Sequence, residues 1–444
     1  MGQPFIILNS TTVAEELLTK RSGNYSDRPY STLIHDLAGY EKWHIALLPY
    51  SNRWRAHRKH FHSSFRIREV EASREMILET TQEFLNQLES TSASPERFRG
   101  HIRSYTNKLI TKFVYGHDQP MATQDPLISL LDETFDEFNE NVFSKLFLVD
   151  VMPFLKHVPV SWPGAQFKRM ALAHRSKLYY IMDRMYERLM STITEGTAAP
   201  CVVTRSIDEA QQSDSSGTLS AEREQVIKGN AMISYVAGTD TSASILANFF
   251  LGMSMYPGFQ KMAQKELDQI TGTTRLPDFE DKPHLPFVTT VFLESLRWNA
   301  PAPVGVPHRA MREDLYEGMR IPAGAVVIGN ISAMLHEAQH FEHPYEFNPN
   351  RFLVDAKGEI RQDLEALVMD VFGFGRRICP GRHLAMNSIW ITIARVLATF
   401  DIAKALDKEG DEIEPQARFT VGITSHPVPF GCRITPRNGD VLAG

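Results

Sequence analysis

The stretch Phe372-Gly373-Phe374-Gly375-Arg376-Arg377-Ile378-Cys379-Pro380-Gly381-Arg382-His383-Leu384-Ala385 constrains this chain more than any other. Gly373 and Gly375 allow a tight bulged turn and let the backbone approach a flat cofactor that a β-carbon would obstruct. Cys379 sits at the turn. Pro380 suits the first position of a helix continuing through Leu384, Met386 and Ile389, where an N–H needs no intrahelical partner. Free amides at that helix start face the sulfur, so the spacing predicts a lowered thiol pKa and a held anion. A buried structural residue is the usual fate of a lone cysteine. The full order F-G-x-G-x-R-x-C-x-G is what sets this one apart.

The rest of the chain offers a large protein in which to bury such a turn. Of 444 residues, 43% are hydrophobic and 23% charged, an ordinary globular balance with no bias towards disorder. Cys201, Cys379 and Cys432 lie far apart and form neither a disulfide framework nor paired metal-ligand spacing, which favours a reducing compartment. A net charge of -6 argues against a general nucleic-acid binder. The run Phe5-Ile6-Ile7-Leu8 is too short for a signal peptide or membrane anchor. The longest apolar stretch, Tyr235 to Tyr256, contains Asp240 and several hydroxyls, so it reads as a buried core helix.

Apolar positions recur every three to four residues over Glu71 to Glu89 and Phe167 to Ile193. One helix runs from Ala221 to Met255 between the capping Ser220 and the breaker Pro257-Gly258. At that length, on the order of 50 Å, it crosses the middle of the fold. The helical bulk covers 11–300 and 380–400, and strands gather near 1–10, 301–335 and 415–436. Phe419 to Ile423 and Cys432 to Ile434 flank His426-Pro427-Val428-Pro429, which reads as a hairpin or bent edge strand, and Gln211 to Thr218 as a surface connection. The fold class is mainly α with small β-sheets.

The cysteine stretch resembles the haem-binding signature of the cytochrome P-450 family, and further family motifs follow in order along nearly the whole chain. Trp54-Arg55-Ala56-His57-Arg58 is similar to its tryptophan and arginine helix, Ala237-Gly238-Thr239-Asp240-Thr241 to its oxygen-activation motif, and Glu294 with Arg297 to its E-x-x-R pair. Pro349-Asn350-Arg351-Phe352 resembles the segment that supplies the pair's third partner, with Asn350 where an acidic residue often stands.

The resemblance implies haem b, with Cys379 as axial ligand of the iron and Phe372, Gly373 and Gly381 shaping its loop. Trp54, Arg58, Arg377 and either His308 or Arg309 would meet the propionates, and which of the last two points inward stays open. Ala237 and Gly238 would leave room for dioxygen and substrate, Asp240 and Thr241 would pass protons, and Glu294, Arg297 and Arg351 would form a structural network. The substrate chamber would draw on the loop from Ile34 to Tyr50 and on Ala237, Val304 and Thr424.

The reaction implied is insertion of one oxygen atom of O2 into a lipophilic small molecule by a monomeric monooxygenase. NADPH electrons would arrive through an acidic flavoprotein reductase docked on Arg53, Arg55, Lys59, Arg376 and Arg382. The wording of Ile321 to Leu335 and of Thr424-Ser425-His426-Pro427 is most similar to fungal microsomal members of specialised metabolism, which implies the cytosolic face of the endoplasmic reticulum. Gly2 to Leu8 looks like the second strand of the family's small sheet. On that reading residues 1–444 are a single haem-thiolate catalytic domain without the anchor and first strand, and could be soluble and cytoplasmic. Two rival readings are a haem-thiolate isomerase or dehydratase acting on a peroxide, disfavoured by Asp240 and Thr241, and a catalytically dead truncated paralogue.

Overall fold

A computed structural model describes residues 2–90, 95–116, 125–138, 147–212, 218–272, 275–354 and 359–437. Its axis is the predicted helix Ala221–Met255, here the long helix, whose Ser220 hydroxyl accepts from the Arg223 amide at 3.4 Å. Residues Ser244 to Ser254 of this helix are all buried, as an element apolar on every side must be when it crosses a core. Polar side chains inside that core are paired, which is the condition for burying them at all. Asn248 donates to the carbonyls of Ser295 and Asn299 at 3.2 and 2.8 Å, fixing the long helix to the helix Pro286–Arg297. Asn230 bonds the His57 carbonyl at 3.1 Å and the His57 ring at 2.6 Å, fixing it to the tryptophan helix, Asn52–Phe65. The helices Arg74–Glu89 and Gln166–Thr194 match their apolar periods to within a few residues.

Among the described residues three small sheets lie beside these helices. Strand β1 (Phe5–Leu8) pairs parallel with β5 (Val326–Gly329), and β5 pairs antiparallel with β2 (His308–Arg309). Strands β3 (Asp314–Tyr316) and β4 (Met319–Ile321) form a hairpin whose two turn residues, Glu317 and Gly318, both have positive φ, as a tight two-residue hairpin requires. The C-terminal region departs from expectation. Cys432–Pro436 (β7) pairs with Phe400–Lys404 (β6), a strand directly following the helix Arg382–Thr399, and not with Phe419 to Ile423. The Phe419 end pairs instead with the chain just after it, through a bridge to Pro427 and the bonds from the Val428 N–H to the Arg418 carbonyl and from the Thr420 N–H to the His426 carbonyl, closing a turn over 420–426. Pro427 and Pro429 explain this, since neither can donate to a longer ladder.

Among the described residues no helix is long and apolar enough to cross a membrane. Residues 213–217, within the predicted surface connection, lie outside the described residues.

Candidate active site

Backbone hydrogen bonds close the turn that carries Cys379. The Cys379 amide donates to the Phe372 carbonyl at 2.7 Å and the Gly373 amide to the Asp370 carbonyl at 2.8 Å. Gly373 has φ 78° and ψ -170°, a region open in practice to glycine alone, while a β-carbon there would meet open space. Gly375 is required for a different reason: a β-carbon would stand 2.2 Å from the Leu18 carbonyl oxygen. It lets the loop pack on the N-terminal segment.

The helix after the cysteine starts at Arg382, two residues later than Pro380 suggests, with Gly381 as its N-cap. The first helical bond runs from the Ala385 amide to the Gly381 carbonyl. The amides of Gly381 and Arg382 turn instead towards the sulfur. They do not win. Burial, the largest effect, raises the thiol pKa above its ordinary value in spite of those amides and the charges of Arg58 and Arg382. The expectation of a lowered thiol pKa is thereby overturned for the free side chain, because removing a thiolate from water costs more than two amides and two flanking cations return.

Around this turn the chain gathers cations. Arg58, on the tryptophan helix, donates to the Ile378 carbonyl at 2.7 Å. Arg377 donates to the carbonyls of Ser26, Ile45 and Leu48 at 2.7, 3.1 and 2.8 Å, with its guanidinium 4.5 Å above the Trp54 ring. Burial lowers its pKa to about 9. The Trp54 indole N–H makes no hydrogen bond among the described residues.

His308 and Arg309 alternate across β2, as strand neighbours must. His308 is buried with Nδ1 at 2.7 Å from the Tyr25 carbonyl, whereas Arg309 points outwards, 45% exposed, 3.6 Å from Asp27. Burial first, and then the charge of Arg28, hold the His308 imidazole well below its usual range.

Arg28 is the residue that sequence reasoning missed. It is buried and donates to the carbonyls of Ala46, Val306 and Pro307 at 2.8, 2.7 and 2.9 Å. Among the described residues no carboxylate hydrogen-bonds to Arg28 or Arg377, and the charge of Arg377 adds to burial in lowering the Arg28 pKa. A lone arginine in Asp27-Arg28-Pro29 carries no periodicity that would mark it as buried. Buried guanidinium groups without a bonded carboxylate suit a ligand that brings its own, and a deprotonatable sulfur among them suits a bound metal. The donor set therefore fits an iron porphyrin with two propionates.

On the long helix, Ala237 is exposed and Val236, Asp240 and Thr241 partly so, an uncovered stretch in a buried element. Thr241 donates to the Ala237 carbonyl at 2.7 Å, as its place in the preceding turn suggested. A β-carbon on Gly238 would meet the Ile110 side chain at 2.8 Å, so this glycine serves a close helix crossing more than an open space. Asp240 Oδ1 lies 3.1 Å from His426 Nε2. Burial pushes the Asp240 carboxyl up, but His426 and the Thr424 hydroxyl outweigh it and hold the group below the usual carboxylate value. Thr424 thus stands beside Asp240, while Val304 is 44% exposed.

The predicted network also forms. Glu294 takes two bonds from Arg297, at 2.6 and 2.7 Å, and one from Arg351 at 3.3 Å, all three groups being almost fully buried. On the outer side of the cysteine helix a cleft is lined by Phe61, Phe65 and Ile67 and by Arg58, Arg68 and Arg382. Arg55 and Arg376 both lie over the Tyr50 ring, 4.8 and 5.5 Å from its centroid.

The family model for cytochrome P450 matches residues 1–432. A cytochrome P450 monooxygenase of Armillaria gallica is 40% identical over 444 residues, all of this chain and 84% of that protein. Cytochrome P450 monooxygenase 136 of Postia placenta is 36% identical, over 98% of this chain and 80% of that protein. A solved zebrafish cytochrome P450, described with abiraterone, superposes with a TM-score of 0.76 at 21% identity, over 97% of this chain and 93% of that one. Fold, motif order and sequence agree, and this chain belongs to the cytochrome P450 monooxygenase family.

Proposed function

We propose that Cys379 is the thiolate ligand of a haem whose propionates are held by Arg28, Arg58, Arg377, His308 and the Trp54 indole N–H, within one catalytic domain that spans residues 1–444. The observation that carries this reading is the pair Arg28, buried, and Arg377, partly buried, neither with a bonded carboxylate, beside the only cysteine turn flanked by such charge among the described residues. A bound haem supplies the chemistry that cleaves dioxygen, and a thiolate ligand favours that cleavage. His308 donates its Nδ1–H to the Tyr25 carbonyl, so its Nε2 donates to a carboxylate only as the imidazolium, a form that a propionate would favour. Phe372, Gly373 and Gly381 set the loop, Arg309 faces away from it, and Asp240 with Thr241 moves protons at the uncovered stretch of the long helix.

The substrate is a lipophilic small molecule, taken in past Ala237, Val304 and Thr424 and the segment from Ile34 to Tyr50, and the setting is fungal specialised metabolism. NADPH electrons reach the monomeric enzyme through a flavoprotein reductase. The cleft beside Arg68 and Arg382 supports this, since its mixed apolar and cationic lining complements an acidic partner. A position against the endoplasmic reticulum is supported by Leu148, Val151, Phe154 and Trp162, which are exposed within fifteen residues of one another.

Turnover of a panel of terpenoid, polyketide and aromatic substrates separates this reading from a peroxide isomerase. Product that requires NADPH, reductase and O2 is the expected result. Product formed from hydroperoxide alone, with none from NADPH and reductase, would overturn it.

A further inference from the structure

The turn over 420–426 is fastened to the core by one residue. Ser425 is buried; its hydroxyl lies 2.9 Å from Asn299 Oδ1 and 3.0 Å from the Thr420 carbonyl and shares its one proton between these acceptors, its amide donates to the Pro301 carbonyl, and its carbonyl accepts from Ser244 on the long helix. The Thr420 amide donates to the His426 carbonyl and the His426 amide to the Thr420 hydroxyl, which fixes the backbone on the far side. Thr424 and His426 flank this anchor two residues apart, so both side chains emerge on the opposite face. That face meets Asp240, four residues before Ser244 on the long helix.

Asp240 is thus held from the turn, with His426 Nε2 at 3.1 Å from Oδ1 and the Thr424 hydroxyl beside it. The other charge that acts on it is Arg103, which is itself paired with Asp132 and Asp136 at 3.4 and 3.8 Å. His426 is 29% exposed, and its second ring nitrogen makes no hydrogen bond among the described residues. An imidazole so placed has one nitrogen on the carboxylate and the other free for water.

We propose that His426 is a positioning residue that feeds Asp240, passing a proton inwards from solvent to the uncovered stretch of the long helix. This rests on the reading of Asp240 as the group that moves protons there. In each transfer the Nε2–H bond breaks as an Oδ1–H bond forms, while Nδ1 takes a proton from a hydronium ion and releases it as water; the imidazole ends neutral in its other tautomer, and proton exchange with solvent returns the Nε2–H form. The monooxygenase reaction consumes two protons and two electrons for each O2, with one oxygen leaving as water. When protons arrive wrongly, the same two electrons and two protons leave as hydrogen peroxide instead.

The test compares His426→Gln, His426→Leu and Asp240→Asn in the haem-loaded enzyme with reductase and NADPH. Glutamine keeps an N–H on Oδ1 but cannot carry a proton through. Both His426 variants should release about tenfold more peroxide per product than wild type, less than the roughly hundredfold or more of a general acid acting directly, with KM for substrate unchanged and a larger solvent deuterium isotope effect. A readout independent of turnover is the melting temperature. The losses from His426→Leu and Asp240→Asn should fall short of additivity in the double variant, as expected of residues in contact. Full coupling in His426→Gln would overturn the relay, leaving orientation only, and full coupling in His426→Leu or additive melting losses would overturn it outright. If Asp240→Asn itself stays coupled, the underlying role of Asp240 fails, a result distinct from failure of His426 alone.

Discussion

Asp370 lies two residues before Phe372 at the mouth of the cysteine loop, and its carbonyl takes the Gly373 amide. Burial raises its carboxyl to about 7, Glu15 adds to this, and the Thr11 hydroxyl offsets part of it. A native pKa above the 3.8 of a free aspartate means that the folded state binds this proton more tightly than the unfolded chain. The stabilisation is complete below the unfolded value and is lost as the pH rises through about 7. Asp370→Asn should therefore melt higher than wild type at about pH 8 and show a flatter melting curve between about pH 5 and 8. Parallel wild-type and variant curves would contradict the assignment. At this scale the sequence was informative about residue identity and poor about charge. Cys379 stood out by pattern, yet the direction of its pKa depends on how much chain covers it, which no local pattern carries. Arg28 was invisible for the same reason.

Between elements, Glu294 does most to bind parts remote in sequence. Besides its two arginines it accepts the Asn348 amide at 2.8 Å, and Arg297 reaches the carbonyls of Leu335, Pro344 and Glu346. The network fastens the chain from Leu335 to Arg351 onto the helix Pro286–Arg297, well ahead of the cysteine loop. Glu294→Ala would leave Arg297, fully buried, without its carboxylate. Removing one member of a buried pair costs about 3 to 5 kcal/mol, so chemical denaturation should show a loss of that size. A loss below about 1 kcal/mol, the value of a surface pair, would contradict the burial described. The E-x-x-R spacing on one helix face was legible in advance, because helical geometry puts residues three apart together. The pairing of β6 with β7 was not, since strand partners are chosen by non-local packing. Thr399 and Phe400 read equally well as the end of an apolar helix.

At the scale of the whole molecule, the long helix is the common reference for the site. It presents Asp240 to the turn over 420–426, holds the tryptophan helix through Asn230, and holds the glutamate helix through Asn248. Its length and both ends were legible from Ser220 and Pro257-Gly258, because cap and breaker are local signals. What packs against it was not, and the ties from His57, Asn299 and His426 come from segments between about 50 and 190 residues away. The proposed activity of the whole molecule depends on Cys379 as a thiolate ligand of haem. The most direct measurement is the absorption spectrum of the reduced, haem-loaded protein under carbon monoxide, with Cys379→Ser alongside. A strongly red-shifted Soret band in the wild type, absent from the variant, is the predicted result; an unshifted wild-type band, or an identical shift in Cys379→Ser, would contradict it.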